Sequence, residues 1–468
     1  MSCRIAWFLT VLIALGFASP LSGAERLNLL IVTFDDMNAD SAGYLGSKVG
    51  ATPNLDAFAA TAFVFEQAHV TVPICQPGRS AFMTGRVPHR NGALGFNPIR
   101  TDVPTLVEHL QAQGYFAAVI EKIVHMQPAS KFPWDLKLSG AGKNPSLMRS
   151  HMEQALQSAK AAGKPFFINA NITDPHRPFP NSAQQANRKK KAANVPDPDV
   201  RTFRPADVTV PAFLEDIPPV RAEVAEYFAG VARGDRSFGQ ILDALKAAGL
   251  DGDTLVIVLS DHGMSFPFSK ATVYRNGTWS PLLLRWPGLQ QPGRDTTHLV
   301  SSVDLLPTAL EILALAAMER IDGRSLLPLI RGEAQPDRDY VITHVNTVSS
   351  GKAFPQRCIR TRTHSYMWHG WVDGSTLFSV EAMNGITFNA LSKAGETDAR
   401  IRSRVEQFHR GVREQFFDLT ADPDERQNVI TDPAHKAELD RLRSLLLKHM
   451  QSTDDPQLAS FLATTPPM

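Results

Sequence analysis

Four continuous apolar runs in the first two-thirds of the chain predict buried strands, at 29–34, 116–120, 165–171 and 254–260. Their uninterrupted hydrophobicity is typical of strands that are covered on both faces, as in a parallel sheet. Between them, apolar spacing predicts helices at 54–68, 103–114 and 220–248. Because strands alternate with helices, we expect an α/β fold with a large, mostly parallel sheet flanked by helices.

The pattern changes after about residue 335, where short alternating segments replace the long apolar runs. Segments 340–343, 364–368 and 414–419 predict an antiparallel sheet, and 433–450 predicts a C-terminal helix. We therefore expect a main domain over residues 25–335. A smaller subdomain with an antiparallel sheet and a terminal helix would occupy residues 336–468.

The N-terminus resembles a secretory leader. Arg4 precedes an apolar run at 5–17, and small residues follow at 22–24. This arrangement predicts a signal peptide over residues 1–24 that is cleaved after Ala24. The alternative is an uncleaved anchor, although the run is short for a membrane span. The expected protein is exported, to the periplasm or outside the cell, or to the lysosome in an animal, with no stable membrane span.

The net charge of the chain gives no indication of a nucleic-acid partner. The 48 Lys and Arg residues nearly cancel the 47 Asp and Glu residues, so no overall field points to nucleic acid. Of three cysteines, Cys3 would leave with the signal peptide, while Cys75 and Cys358 remain. These two could pair in an exported protein, unless Cys75 is consumed by another reaction.

Polar residues follow each of the four predicted strands directly. The carboxyl ends of parallel strands meet at one rim, where α/β proteins bind ligands, so we expect these residues to lie together. Two adjacent carboxylates repel each other unless a cation lies between them, although capping acids are a common alternative. The residues are Asp35 and Asp36, Lys122 and His125, His176, and Asp261 and His262.

The segment Cys75-Gln76-Pro77-Gly78-Arg79-Ser80 predicts a turn that leads into a helix beginning at Ser80. Cys75 would lie near the helix N-terminus, where free N–H groups favour an anion, and Arg79 adds a planar cation. A buried structural cysteine is the ordinary alternative.

Together these motifs resemble the type I sulfatases of the alkaline phosphatase superfamily. The likeness rests on Cys-x-Pro-x-Arg followed by Ser-Ala-x-Met-Thr-Gly, and on Val-Thr-Phe-Asp-Asp, Asp-Pro-His and Ser-Asp-His-Gly in that family's order. It covers nearly the whole mature chain and implies the sulfatase fold. It also implies that a formylglycine-generating enzyme oxidises Cys75 to formylglycine, whose hydrate is the nucleophile.

The resemblance assigns roles to the strand-end residues. It implies Ca²⁺ as the metal, and the oxygen-rich ligand set also suits Mg²⁺ or another divalent ion. Arg79 and Lys122 would hold the nucleophile, His125 would act as base, and His176 and Lys270 would contact sulfate and protonate the leaving group. The implied metal ligands are Asp35, Asp36, residue 75, Asp261 and His262.

A narrower likeness concerns the substrate. Asp174-Pro175-His176-Arg177 is similar to the heparan N-sulfatase branch, which implies hydrolysis of the N-sulfo group of glucosamine in heparin or heparan sulfate. Two features depart from that branch. The spacing of Lys122 and His125 looks like iduronate 2-sulfatases, and His262 stands where the branch has Asn. Iduronate 2-O-sulfate or another sulfated polysaccharide is therefore the alternative substrate.

Two other functions remain open from the residues. A phosphate or phosphonate ester hydrolase would share the metal site, although such enzymes typically use Thr or Ser as nucleophile. A non-catalytic glycan-binding protein would keep Cys75 unoxidised.

Overall fold

The computed structural model describes residues 26–185 and 200–465. The predicted signal peptide, its cleavage site and Cys3 lie outside the described residues. Within these two ranges, no helix is both long and apolar enough to cross a membrane.

Eight strands form a large mixed sheet in the order β5-β4-β6-β1-β7-β8-β2-β9. The five strands from β5 to β7 run parallel, and β8 is antiparallel to both of its neighbours. The predicted α/β fold with a mostly parallel sheet is therefore confirmed. The eight strands are β1 (Asn28–Asp35), β2 (Phe63–Phe65), β4 (Phe116–Ile120), β5 (Leu136–Leu138), β6 (Phe166–Pro175), β7 (Thr254–Ser260), β8 (Leu282–Arg285) and β9 (Gly293–Asp295). Two short strands, β3 (Ala68–His69) and β10 (Val300–Ser301), pair separately.

Helices cover both faces of this sheet. Leu30, Val32 and Phe34 of β1 belong to one core, and Leu29 and Ile31 belong to the other. This alternation places β1 between two hydrophobic layers, as its continuous apolar run predicts. The helices are α1 (Pro53–Ala59), α2 (Cys75–Thr84), α3 (Pro88–Asn91), α4 (Leu106–Ala112), α5 (Pro145–Ala162), α6 (Pro218–Ala247), α7 (Arg275–Thr278), α8 (Leu305–Ile312), α9 (Leu327–Ile330), α10 (Ile386–Ala394), α11 (Ala399–Arg410), α12 (Lys436–Ser452) and α13 (Leu458–Thr464).

The predicted helix over 54–68 is wrong in its second half. Helix α1 ends at Ala59, and the chain then forms β2 and β3. Phe63 and Val64 pair with β8 on one side and β9 on the other. Aromatic and β-branched residues favour strands when a partner strand is available, and that partner lies far along the chain.

The C-terminal part contains a second sheet of four antiparallel strands in the order β11-β12-β13-β14. These are β11 (Val341–Thr347), β12 (Ala353–Arg360), β13 (His364–His369) and β14 (Glu414–Asp418). One face contributes Val345, Phe354 and Met367 to a core shared with the large sheet. The other face packs Tyr366 and Trp368 against the C-terminal helices. The two sheets are therefore joined by continuous packing, and the boundary at residue 335 stays a prediction.

Candidate active site

Helix α2 begins at Cys75 itself, so the predicted helix start at Ser80 is wrong. Ile74 precedes the helix in an extended conformation, and the Gly78 amide donates to its carbonyl at 2.8 Å. Pro77 fits because the first helical turn does not use its missing N–H group. Cys75 therefore occupies the first turn, next to unpaired backbone N–H groups. This position agrees with the prediction that Cys75 lies at a helix N-terminus, where an anion is favoured.

Gly78 lets this first turn pack against backbone. A Cβ atom at position 78 would lie 2.8 Å from the carbonyl oxygen of Val72 and 3.5 Å from that of Asp261. The first distance is too short for a real contact, so any larger residue would displace the helix start. The glycine thus fixes the position of Cys75 relative to the loop that follows β7.

Arg79 connects the ends of three neighbouring strands, β6, β1 and β7. Its side chain is fully buried. Its Nη2 atom lies 2.8 Å from Asp261 Oδ2 and 3.2 Å from Asp35 Oδ1, and Nη1 donates to Asn171 Oδ1. The parallel-strand rule therefore brings these ends to one rim, as predicted. Sequence reasoning missed Asn171, which lies inside an apolar strand.

Two lysines complete the charge balance of this rim. Lys122, which follows β4, forms an ion pair with Asp35. Lys270 Nζ lies 2.9 and 3.1 Å from the two carboxylate oxygens of Asp36. Burial raises the pKa of Asp35, but Lys122 and the other cations outweigh it and hold the pKa well below its usual range. Asp261 differs, because burial and the neighbouring Asp35 raise its pKa to about 6.

Four side chains at the rim could hold a metal ion. Ligand atoms of Asp35, Asp36, Cys75 and His262 all lie within 4.8 Å of one another, and all four residues are buried. His262 Nε2 lies 3.1 Å from Cys75 Sγ and 3.5 Å from Asp36 Oδ1. Adjacent buried carboxylates with one imidazole fit a divalent cation.

Asp261 stands at the edge of this group. Its Oδ1 accepts the Asp36 amide at 3.2 Å and lies 3.6 Å from His262 Nε2, whereas Oδ2 binds Arg79. Asp36 adopts a left-handed backbone with φ of 69°, which is uncommon for a residue with a side chain. Strain of this kind is typical of functional sites, where surrounding contacts hold it in place.

The chemistry of the Cys75 thiol is governed by burial. Burial raises its pKa well above the usual value, although Lys270 opposes the shift. A protonated thiol is a poor nucleophile, so the unmodified side chain is not suited to attack. Cys358 is the second buried free cysteine, and no disulfide joins the two among the described residues.

The side of the rim next to β6 carries a carboxylate that sequence reasoning missed. His176 Nδ1 donates to the Arg177 carbonyl at 2.6 Å, and its Nε2 lies 3.3 Å from Glu381 Oε1. The other oxygen of Glu381 lies 3.1 Å from Lys270 Nζ. Glu381 therefore bridges the two predicted substrate-binding residues. It begins a short 3₁₀ helix (Glu381–Asn384) of the C-terminal part and carries no motif.

His125 is placed differently from the other predicted residues. It ends a short turn after Lys122, and its ring packs edge-on against Phe96 with centroids 5.7 Å apart. Burial lowers its pKa to about 3, and Lys122 adds to the shift. Its Nδ1 has no hydrogen-bond partner within the described ranges. The imidazole is therefore neutral, and its lowered pKa makes it a weaker base than a free histidine.

Comparison with known proteins adds an independent finding. The family model described as Sulfatase matches residues 27–315, and the model described as N-sulphoglucosamine sulphohydrolase, C-terminal, matches residues 261–376. The chain is 29% identical to human N-sulphoglucosamine sulphohydrolase over 97% of this chain and 95% of the relative. It is 25% identical to an ulvan-active sulfatase of Formosa agariphila over 92% of this chain and 81% of the relative.

A solved structure supports the fold. A 2-O GAG sulfatase superposes with a TM-score of 0.68 over 92% of this chain and 93% of its own, at 21% identity. The sulfatase match spans more than half of the chain and includes Cys75, the metal-ligand candidates and both rim lysines. The chain therefore belongs to the sulfatase family, and it is an enzyme of the class that hydrolyses sulfate esters or sulfamates.

Proposed function

We propose that this enzyme removes sulfate from a sulfated sugar through a formylglycine made from Cys75, and that its substrate is the N-sulfo group of glucosamine in heparin or heparan sulfate. One observation carries the mechanism. Cys75 lies in the first turn of α2, with its Sγ 3.1 Å from His262 and within ligand distance of Asp35 and Asp36. A nucleophile at this point faces both a metal site and a helix N-terminus.

Residue 75 acts here as a precursor. A formylglycine-generating enzyme is the partner that converts its thiol to an aldehyde, whose hydrate supplies one hydroxyl for attack and a second for release of sulfate. The raised pKa of the thiol supports this role, because an unmodified Cys75 stays protonated. A plain serine or cysteine lacks the second hydroxyl.

The metal we propose is Ca²⁺, with Mg²⁺ as the nearest alternative. Asp35, Asp36, Asp261 and His262 would hold it together with residue 75, and it would polarise a sulfate oxygen and favour the ionised nucleophile. The carboxylate-rich donor set supports a hard cation.

The cations of the rim stabilise negative charge around residue 75. Arg79 is fixed by Asp35 and Asp261, and Lys122 is fixed by Asp35, so both are held without reorganisation when charge develops. His125 is neutral and serves as the base for the second hydroxyl.

His176 and Lys270 are the residues that contact the substrate. Lys270 offers a buried ammonium to sulfate oxygens, and His176 offers Nε2 for protonation of the leaving amine or hydroxyl. Glu381 contacts both side chains, and the Arg177 carbonyl accepts a hydrogen bond from His176 Nδ1, which leaves Nε2 directed toward Glu381.

The choice of sugar rests on the relatives. The human relative aligns over nearly the whole chain, and the C-terminal match covers the loop that carries Lys270. Iduronate 2-O-sulfate or another polysaccharide O-sulfate is the alternative that the Lys122 and His125 spacing supports. Export to the periplasm, the medium or the lysosome follows from the N-terminal pattern and would bring the enzyme to extracytoplasmic glycans.

Mass spectrometry tests the modification. The peptide that contains Cys75, from protein made in its native host, should be about 18 Da lighter than its thiol form. An unmodified thiol in that protein would contradict the mechanism. A phosphate or phosphonate ester hydrolase would instead turn over aryl phosphate faster than aryl sulfate.

Sulfate release tests the substrate. The enzyme should release sulfate from N-sulfoglucosamine and much less from a disaccharide sulfated only at the 2-O position of its uronate. The reverse preference would replace the proposed substrate with iduronate 2-O-sulfate and leave the sulfatase mechanism intact.

A further inference from the structure

A second group of buried polar residues lies outside the catalytic rim. It consists of His89 in α3, His344 in β11, His449 in α12 and Asp455 just beyond α12, and we refer to it as the histidine cluster. Three segments that are distant in the sequence meet here. None of the four residues contacts the catalytic residues described above.

Three members of the cluster have the spacing of metal ligands. Ligand atoms of His89, His344 and Asp455 all lie within 4.8 Å of one another. His89 Nδ1 and His344 Nδ1 are each 3.9 Å from Asp455 Oδ2. A tetrahedral zinc ion with bonds of about 2.1 Å separates its ligands by about 3.4 Å, so a small contraction would suffice. The His344 and His449 ring centroids are 5.2 Å apart, which places a third imidazole beside this group.

The ring nitrogens of this cluster lack partners. His344 is fully buried, and neither of its ring nitrogens has a hydrogen bond among the described residues. The same holds for both ring nitrogens of His89, whose side chain is 3% exposed, and for Nε2 of His449. Buried polar atoms are normally satisfied, so several unpartnered nitrogens in neighbouring imidazoles indicate a missing ligand.

The protonation state favours a cation over an anion. Burial lowers the pKa of His89 and of His449 to about 4, and it lowers that of His344 further. Neutral imidazoles offer lone pairs, which is the form that binds metals. Asp455 is held by Arg357 through contacts of 2.6 and 2.8 Å, an outer hydrogen-bonded partner of the kind that orients metal-binding carboxylates.

A cavity adjoins the histidine cluster. His449 lines a cavity of about 130 Å³ whose walls also include Thr71, Val87 and Ile342. From these observations we propose that the histidine cluster binds a divalent transition metal, with His89, His344, His449 and Asp455 as ligands. Imidazole-rich ligation selects zinc or cobalt over calcium. The bound metal would join helix α3 to strand β11 of the C-terminal sheet and to helix α12.

The test separates this site from the catalytic one. The full-length mature enzyme is stripped with chelator and titrated with Zn²⁺, and bound metal is measured by native mass spectrometry and by Co²⁺ absorption. The variant His262→Asn weakens only the catalytic site and should retain one bound zinc. The variants His344→Asn and His449→Gln should bind zinc at least about 100-fold more weakly at the second site. His298→Asn, at a half-exposed histidine, is the matched control and should bind as the unaltered enzyme does.

Two results overturn the proposal. The first is equal zinc binding by His344→Asn and the unaltered enzyme, and the second is no zinc beyond the amount that His262→Asn removes. Because a cluster variant could fail to fold, anomalous diffraction at the zinc edge from crystals of the unaltered enzyme provides a second measurement. A peak bonded to His89 and His344 nitrogens supports the site, and zinc-soaked crystals without that peak, or with water there, refute it.

Discussion

The catalytic rim and the histidine cluster both bury polar groups, but they satisfy them in opposite ways. At the rim each carboxylate has a cation: Lys122 and Arg79 for Asp35, Lys270 for Asp36, and Arg79 for Asp261. In the cluster the ion pair between Arg357 and Asp455 is complete, and five imidazole nitrogens have no hydrogen-bond partner within the described part of the chain. The rim is thus internally neutralised before any ligand arrives. The cluster keeps unused lone pairs, which only an added group can satisfy.

The buried polar side chains of the two regions therefore serve different purposes. A paired rim holds its side chains in fixed positions, which is what electrostatic catalysis requires, and breaking one pair leaves an uncompensated charge. An unpaired cluster of neutral groups costs little to rearrange but gains from ligation. Variants that remove one group at a time should therefore have distinct consequences in the two regions.

The largest effect is expected from Cys75→Ala, which removes the precursor of the nucleophile from the rim. We expect kcat/KM to fall by at least about 10,000-fold, as when a covalent nucleophile is deleted. Cys358→Ala is the matched control, because Cys358 is also a buried free thiol but lies in β12. Sulfate release per folded molecule measures both variants. Retained activity in Cys75→Ala would remove residue 75 from the mechanism.

Arg79→Met should break the paired rim. It leaves the buried Asp35 and Asp261 without one cation, so we expect a loss of about 3–5 kcal/mol in the free energy of unfolding. Urea denaturation of metal-free protein measures the change. In the control, Lys436→Met removes an exposed i,i+4 partner of Asp440 and should change stability by about 0.5 kcal/mol or less. Equal losses in the two variants would contradict the pairing argument.

Much of the rim could be predicted because its residues belong to patterns within short segments of the sequence. The predicted residues at the strand ends follow closely after apolar strands, and parallel strands bring their ends together without further knowledge. The strand order β4-β6-β1-β7 then places Lys122, His176, Asp35 and Asp261 side by side. The α/β fold was predicted correctly for the same reason, whereas the sulfatase family was predicted from the resemblance of the motifs.

Other features depend on contacts between distant segments. The strand at Phe63–Phe65 forms because β8 and β9 are available as partners, a fact absent from its own sequence. Helix α2 starts at Cys75, and its first turn packs Gly78 close to the backbone of Asp261, which is distant in the sequence. Glu381 and the histidine cluster carry no local pattern, since their roles arise only when the C-terminal sheet packs on the large one.

A third prediction concerns a buried imidazole that does have a partner. His369 Nδ1 donates to the Val412 carbonyl at 2.8 Å, and burial lowers its pKa to about 4. The unfolded chain takes up this proton near pH 6.5, before the folded protein does. Stability from this group is therefore complete above pH 6.5 and is lost as pH falls from about 6.5 to 4, by roughly 3 kcal/mol.

His369→Gln measures that contribution. Urea midpoints between pH 7 and 4 should fall less steeply in this variant than in the unaltered enzyme. His298→Gln, at the half-exposed surface site, should leave the slope unchanged. If the urea midpoint of His369→Gln falls with pH as steeply as that of the unaltered enzyme, burial of this imidazole does not contribute to acid sensitivity. His369 would then affect stability no more than an exposed histidine does.

The smallest effect should come from Glu381→Gln, which alters the rim without removing a cation or the nucleophile. Burial raises the pKa of Glu381, but Lys270 and His176 outweigh it, so the group is an anion that holds both side chains. A neutral amide keeps the shape and loses the charge. We expect kcat/KM to fall about 10- to 100-fold, the range for a charged hydrogen bond.

The kinetic pattern distinguishes two roles for Glu381. If it positions His176 for proton transfer, kcat should fall and the pH profile of kcat should shift, while KM changes little. If it contacts the sugar, KM should rise at constant kcat. Glu396→Gln, at an exposed carboxylate of the same C-terminal part, should change neither value. An unchanged kcat/KM in Glu381→Gln would show that Lys270 and His176 keep their positions through Asp36 and the Arg177 carbonyl alone.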